Sequence, residues 1–193
     1  MDRVNVGSVH GRFQPFHNGH LDYVLEAFGR AEFLWVGLTQ LFQPRPATSE
    51  EASRELPASN PLTFWERSDL VQAALVAAGI GSDRFRVTPF PIETPERLHE
   101  FVPSGCMCFT TKVNEWNDEK VRRLNRHGFP TTILGLSVPD NMRVTSGTEI
   151  RRLIRASDPS WARFVPAAVA EAIDNGLRPR FEAAERATQN LGI

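Results

Sequence analysis

The chain has 193 residues, 41% of them hydrophobic and 23% charged, which suits one domain with a core that needs no disulfide or metal staple and excludes a disordered chain. The net charge of −1 gives no global positive field to draw in nucleic acid, and the longest nearly apolar stretch, 71–80, is far too short for a membrane span. Of 22 basic residues only Lys112 and Lys120 are lysines, so a Gly-x-x-x-x-Gly-Lys phosphate loop is ruled out, and no Gly-x-Gly-x-x-Gly dinucleotide turn is present either. No apolar signal core follows Asp2 and Arg3, and a cytoplasmic protein is expected.

In chain order, residues 4–10 read as a first strand ending at Gly11. A loop to Asn18 leads into a helix with Leu21, Val24, Leu25 and Phe28 on one face, and 33–38 reads as a second strand. A connection over 39–61 carries Pro44, Pro46, Pro57 and Pro61, and its length is that of a lid, a binding loop or a disordered segment. Thr63 and Glu66 have capping-box spacing and open a helix that presents Leu70, Val71, Ala74 and Leu75 and stops at Gly79. A third strand over 85–88 is followed by Thr94 and Pro95 as the cap and first residue of a short helix to Phe101. Strand four is expected over 106–110, a charged helix over 117–127 closed by Gly128, and strand five over 131–136. Ser146 or Thr145 caps a helix through Ile154, and helices over 161–193 complete a single domain. Cys106 and Cys108 flank Met107, share one strand face and read as small buried hydrophobes. Alternating strands and helices imply an α/β fold, a five-stranded parallel sheet covered on both faces, with ligands held beyond the carboxyl ends of its strands.

Chemistry concentrates in Gly11-Arg-Phe-Gln-Pro-Phe-His17-Asn-Gly19-His20, a loop that opens a helix. Free N–H groups and the positive dipole end favour phosphate there, and His17 and His20, three apart, share one side of the first turn. Gly19 lets a phosphate approach the backbone. A satisfied structural pair is the plainer reading of two histidines, and without nearby Cys or carboxylate ligands they make a poor zinc site. A second segment, Thr145-Ser146-Gly147-Thr148-Glu149-Ile150-Arg151-Arg152, combines an anion nest with a bidentate phosphate partner in Arg151, although alone it also reads as a cap beside a surface arginine. Asn60-Pro-Leu-Thr-Phe-Trp-Glu66-Arg67 reads equally as a capped helix, apart from Arg67.

Together, in this order, the three strings resemble the archaeal-type nicotinamide-nucleotide adenylyltransferases of the HIGH-motif nucleotidyltransferase superfamily, over roughly residues 4–175. The resemblance implies a Rossmann-like sheet and direct transfer of a nucleotidyl group with release of pyrophosphate. It assigns His17, His20 and Arg151 to catalysis, and Gly11, Arg12, Phe13, Gly19, Arg67, Ser146, Gly147 and Thr148 to the nucleotide. It also implies Mg2+ carried by the nucleoside triphosphate, since no carboxylate stands out as a metal anchor and no residue is assigned as a metal ligand.

The acceptor region departs from the nicotinamide pattern. Pro91 occupies the place of an acidic residue, and Leu98 stands about where a tryptophan stacks on nicotinamide. The turn after strand four reads Thr110-Thr-Lys112-Val-Asn114, and 41–59 is longer than the family's connection. Arg97, His99, Thr110, Lys112 and Asn114 become candidates for a small anionic acceptor, although Arg97, His99 and Lys112 would serve equally as solvated surface charges. The pattern resembles the phosphonate-activating cytidylyltransferases, which implies CTP as donor and a phosphonate such as phosphonoformate as acceptor. The alternatives are ATP with NMN, with Trp116 or a loop aromatic replacing the missing face, and a non-catalytic nucleotide sensor, against which intact His17, His20 and Arg151 argue. Neither nucleic acid nor membrane is an expected partner, and a homo-oligomer is compatible with the sequence.

Overall fold

A computed structural model describes residues 3–42, 56–111, 115–135 and 146–191, the side chains of 115–117 excepted. Five parallel strands, β1 (Val4–Gly11), β2 (Ala31–Leu38), β3 (Phe85–Pro89), β4 (Met107–Thr111) and β5 (Thr131–Leu134), form one sheet in the order β3-β2-β1-β4-β5. The helices are α1 (Asn18–Phe28), α2 (Phe64–Ala77), α3 (Glu115–Arg126), α4 (Gly147–Arg155), α5 (Ala167–Ala172) and α6 (Arg178–Gln189). This is the parallel α/β sheet that strand–helix alternation implied, Rossmann-like as the resemblance implied, with the expected helical C-terminal segment.

Strand pleating divides the core into two clusters, one on each face. Leu34, Val36 and Leu38 of β2 and Phe109 of β4 join the larger one with Val24, Leu70, Ile150, Trp161 and Phe181 from the helices of that face. Cys106, Cys108, Phe90, Leu98, Leu124 and Phe129 form the smaller one under α3 and the 3-10 turn Pro95–Glu100. Two glycines make room for these clusters. A Cβ on Gly7 would lie 2.5 Å from the Phe109 ring, and one on Gly37 would lie 2.5 Å from the Phe90 ring. The cysteines are the buried small hydrophobes expected: burial pushes their thiols up to about 12 for Cys106 and about 11 for Cys108, whose Sγ accepts a hydrogen bond from the Ser8 hydroxyl.

The capping box at Thr63 and Glu66 is present, and Gly79 takes the left-handed φ of 83° that ends α2. Thr94, in contrast, makes no capping hydrogen bond. Only a 3-10 turn forms after it, so the Thr-Pro signal marks the turn but not a regular helix. Of the long connection, residues 43–55 lie outside the described ones; its far end is a 3-10 turn, Pro57–Ser59, tied to α6 by the Ala58 N–H donating to Thr188 Oγ1 at 2.8 Å. Residues 136–145, including Thr145, also lie outside the described set. Among the described residues no helix is long and apolar enough to cross a membrane.

At the middle of the sheet the β1–β4 pairing runs Gly7↔Met107 and Ser8↔Cys108, whereas β1–β2 pairing continues to Gly11↔Leu38. Beyond Ser8 the buried Tyr23 hydroxyl stands between the strands, accepting from the His10 N–H at 3.3 Å and donating to the Phe109 carbonyl. Burial raises the phenol above its ordinary value, so it keeps the proton the bridge needs. β1 and β4 therefore part at their carboxyl ends, where the chain order reverses and open α/β sheets bind ligands.

Candidate active site

The loop after β1 turns sharply at Phe13, whose φ is 52°. The Phe13 ring folds back over Gly11, where a Cβ would lie 2.5 Å from it, so glycine at 11 is a packing requirement. His17 then caps α1, in which Gly19 is the second residue and His20 the third. The two histidines cap each other: the His20 N–H donates to His17 Nδ1 and the His17 N–H to His20 Nδ1, both at 3.3 Å. With both Nδ1 atoms accepting, the neutral rings carry their protons on Nε2, which leaves one outward-donating N–H per ring for an anion. The rings stack at 3.5 Å, and His20 rests edge-on against Phe13 at 4.8 Å.

The second wall is the start of α4. Ser146 is its N-cap, and Gly147 lets the helix end approach the first loop, since a Cβ there would lie 3.2 Å from the Gln14 carbonyl. Arg151, 4% exposed, donates to that same carbonyl at 2.7 Å and to Thr148 Oγ1 at 3.2 Å. The Gln14 side chain in turn exchanges hydrogen bonds with the Leu62 backbone at 2.8 and 3.0 Å, which fixes the loop against the entry to α2. Gln14 has no place in the sequence reading, because nothing at its position distinguishes a clamp from a solvated amide.

Arg67, expected among the nucleotide contacts, is 1% exposed and lies outside the cleft lining. It donates to the carbonyls of Arg12 (2.7 Å), Thr39 (2.7 Å), Gln40 (2.9 Å) and Thr63 (3.2 Å), joining the ends of β1 and β2 to α2. Its neighbour Glu66 accepts from Arg180 of α6 at 2.7 Å, so the C-terminal helix braces the same corner.

These elements enclose a cleft of about 190 Å³ lined by Arg12, Phe13, Gln14, His17, His20, Ser146, Gly147, Thr148 and Arg151. Two helix N-termini, two guanidinium groups and two imidazole donors converge with no carboxylate among the lining residues, an arrangement suited to a polyphosphate. The same composition does not supply the oxygen ligands a hard divalent cation requires, and among the described residues no cluster of three or more metal-ligating side chains occurs. Burial, then neighbouring Arg151, holds His17 down to about 4; burial, then His17 and Arg12, holds His20 well below the usual imidazole value. Burial, then Arg12 and Arg155, lowers Arg151 to about 10, still charged at neutral pH.

The depressed histidine has a consequence for stability. Between about 4 and 6.5 the unfolded chain binds more protons at His17 than the folded one does. Its contribution is therefore complete above pH 6.5 and is lost as pH falls toward 4, by on the order of 2 kcal/mol at a partly solvated cleft. Urea midpoints taken across that interval should decline; a flat profile would contradict the site's electrostatics.

Of the expected acceptor residues, Arg97, His99 and Thr110 are described. Arg97 is exposed and paired with Glu100 at 2.9 Å, and His99 is exposed on the same 3-10 turn. Thr110 is buried near the end of β4, whereas Lys112 and Asn114 lie outside the described residues. Leu98 is 0% exposed within the smaller core cluster.

A parallel sheet with a histidine pair capping the first helix and an arginine-bearing helix end facing it forms a site suited to a nucleotide's phosphates. The comparisons agree: the cytidylyltransferase-like family matches residues 9–153, and the chain belongs to that family of nucleotidyltransferases, which take a nucleoside triphosphate and a small acceptor as substrates. It is 38% identical over 185 residues to a phosphonoformate cytidylyltransferase of Streptomyces viridochromogenes, covering 93% of this chain and 97% of that one. It is 29% identical over 171 residues to a nicotinamide-nucleotide adenylyltransferase of Thermococcus kodakarensis, covering 88% and 82%. Among solved structures, a bifunctional NMN adenylyltransferase/ADP ribose pyrophosphatase from Francisella tularensis, complexed with AMP and a manganese ion, superposes with a TM-score of 0.65 at 15% identity. That match covers 93% of this chain and 52% of the other, so this chain spans about half of the bifunctional protein, and the likeness is one of fold.

Proposed function

We propose that the protein transfers CMP from CTP to a small phosphonate, phosphonoformate being the best candidate, and releases pyrophosphate. The observation that carries this reading is Leu98. By the resemblance, Leu98 stands about where the nicotinamide enzymes present a stacking tryptophan, and its aliphatic side chain is 0% exposed and offers no face to a pyridinium ring. The 38% identity to a phosphonoformate cytidylyltransferase supports the same choice.

In the proposed reaction an ionised phosphonate oxygen attacks the α-phosphorus in line, the bond to the β-phosphate oxygen breaks, and pyrophosphate leaves with its electron pair. The nucleophile is already ionised, so no general base is needed, and catalysis reduces to alignment and charge neutralisation. His17 and His20 donate Nε2–H to the triphosphate from one side, and Ser146, Thr148, Arg151 and the start of α4 grip it from the other. Arg12 adds charge at the first loop, and Arg67 holds the loops in register. Mg2+ carried by the triphosphate would supply further neutralisation of its charge, with no carboxylate of the cleft lining to hold it.

Phosphorus NMR of the full chain with CTP and phosphonoformate tests transfer directly. A mixed anhydride shows two mutually coupled phosphorus signals that grow with pyrophosphate; pyrophosphate with free CMP and no coupled pair would mean hydrolysis and would contradict the reading.

A further inference from the structure

His10 occupies the carboxyl end of β1, is 5% exposed, and has no hydrogen-bond partner on either ring nitrogen among the described residues. A buried polar side chain with both edge atoms unpaired is a standing cost to the fold, and such groups mark places where a ligand completes the pairing. Its ring is stacked on Phe90 at 4.5 Å with the planes 4° apart, and Phe90 is seated over Gly37 of β2. That stack consumes a face of the imidazole and leaves its edge, which carries both nitrogens, for another partner.

The position is where a ligand belongs. At this residue the Tyr23 hydroxyl has replaced direct β1–β4 pairing, and His10 stands at the carboxyl end of β1, where the strand order reverses. The Phe90 beneath it follows β3, in the segment where the sequence departs from the nicotinamide pattern. Burial, then the ammonium of Lys120 on α3, disfavours the imidazolium, so the ring is a neutral donor in the free protein.

We propose that His10 binds the acceptor, donating a ring N–H to an oxyanion of a small phosphonate or carboxylate lodged in the β1–β4 crevice. The assignment rests on the phosphonate reading above. It makes His10 a specificity-determining residue at the carboxyl end of β1, two residues before Arg12 of the polyphosphate cleft.

The test compares the parent chain with His10→Phe, which keeps the stack and removes both nitrogens, and His10→Gln, which restores an N–H donor. With CTP and phosphonoformate, His10→Phe should raise the KM of the acceptor about tenfold or more and leave the KM of CTP within twofold, with His10→Gln in between. The melting temperature of His10→Phe should be no lower than that of the parent, since an unpaired buried polar group is removed, so a raised acceptor KM in that variant does not come from a weakened fold. In the parent, the His10 ring nitrogen resonances should move on adding phosphonoformate and stay in place with CTP alone. An acceptor KM unchanged in His10→Gln and His10→Phe, or ring resonances indifferent to phosphonoformate, overturns the assignment. Failure of the parent to turn over any phosphonate overturns the underlying reading instead, and the assignment with it.

Discussion

Replacing His20 with alanine should lower kcat by about 100-fold or more while affecting nucleotide affinity less. His20 lies at the third position of α1, partly buried against Phe13, with its Nδ1 engaged by the His17 N–H, so its Nε2–H is held in a fixed direction. A donor fixed in this way stabilises charge at the reacting phosphorus without reorganising. The same substitution removes half of the reciprocal cap, worth about 1 kcal/mol, so turnover is to be compared at matched folded fractions. Near-normal kcat in the folded variant would remove His20 from the machinery.

The second large effect is structural. Arg67→Ala should destabilise the protein by about 3–5 kcal/mol, because four main-chain carbonyls lose their donor at a site 1% exposed. Arg67→Lys should fall between, since an ammonium has three donors and lacks the planar fork. Chemical denaturation with a nucleotide-binding measurement separates the two roles. If Arg67→Lys keeps full stability and only raises the KM of the triphosphate, Arg67 contacts the nucleotide as the sequence implied and is not a brace.

These two residues also show how far the sequence could be read. The elements were legible because apolar spacing and caps at Thr63, Ser146 and Gly79 act locally, and local signals survive without tertiary information. The His17 and His20 spacing placed both rings on one turn, but reciprocal capping through Nδ1 depends on rotamers that spacing does not reveal. Arg67 was singled out correctly as unusual, yet its destination depends on carbonyls at positions 12, 39 and 40, brought to it only by the closed fold. Gln14 was invisible for the same reason. Thr94 shows the opposite limit: a sound local signal gave only a 3-10 turn, because Leu98 is drawn into the smaller core cluster after one and a half turns. His10 read as an ordinary strand residue, and its isolation becomes visible only once Phe90 and Tyr23 are in place around it.

The central claim is tested most directly by pyrophosphate release from the full chain with Mg2+, crossing CTP and ATP against phosphonoformate and NMN. Turnover confined to CTP with phosphonoformate is the expected result. Turnover of ATP with NMN, with none from the phosphonate, would contradict it and would mean that an aromatic group other than the residue at position 98 holds the nicotinamide.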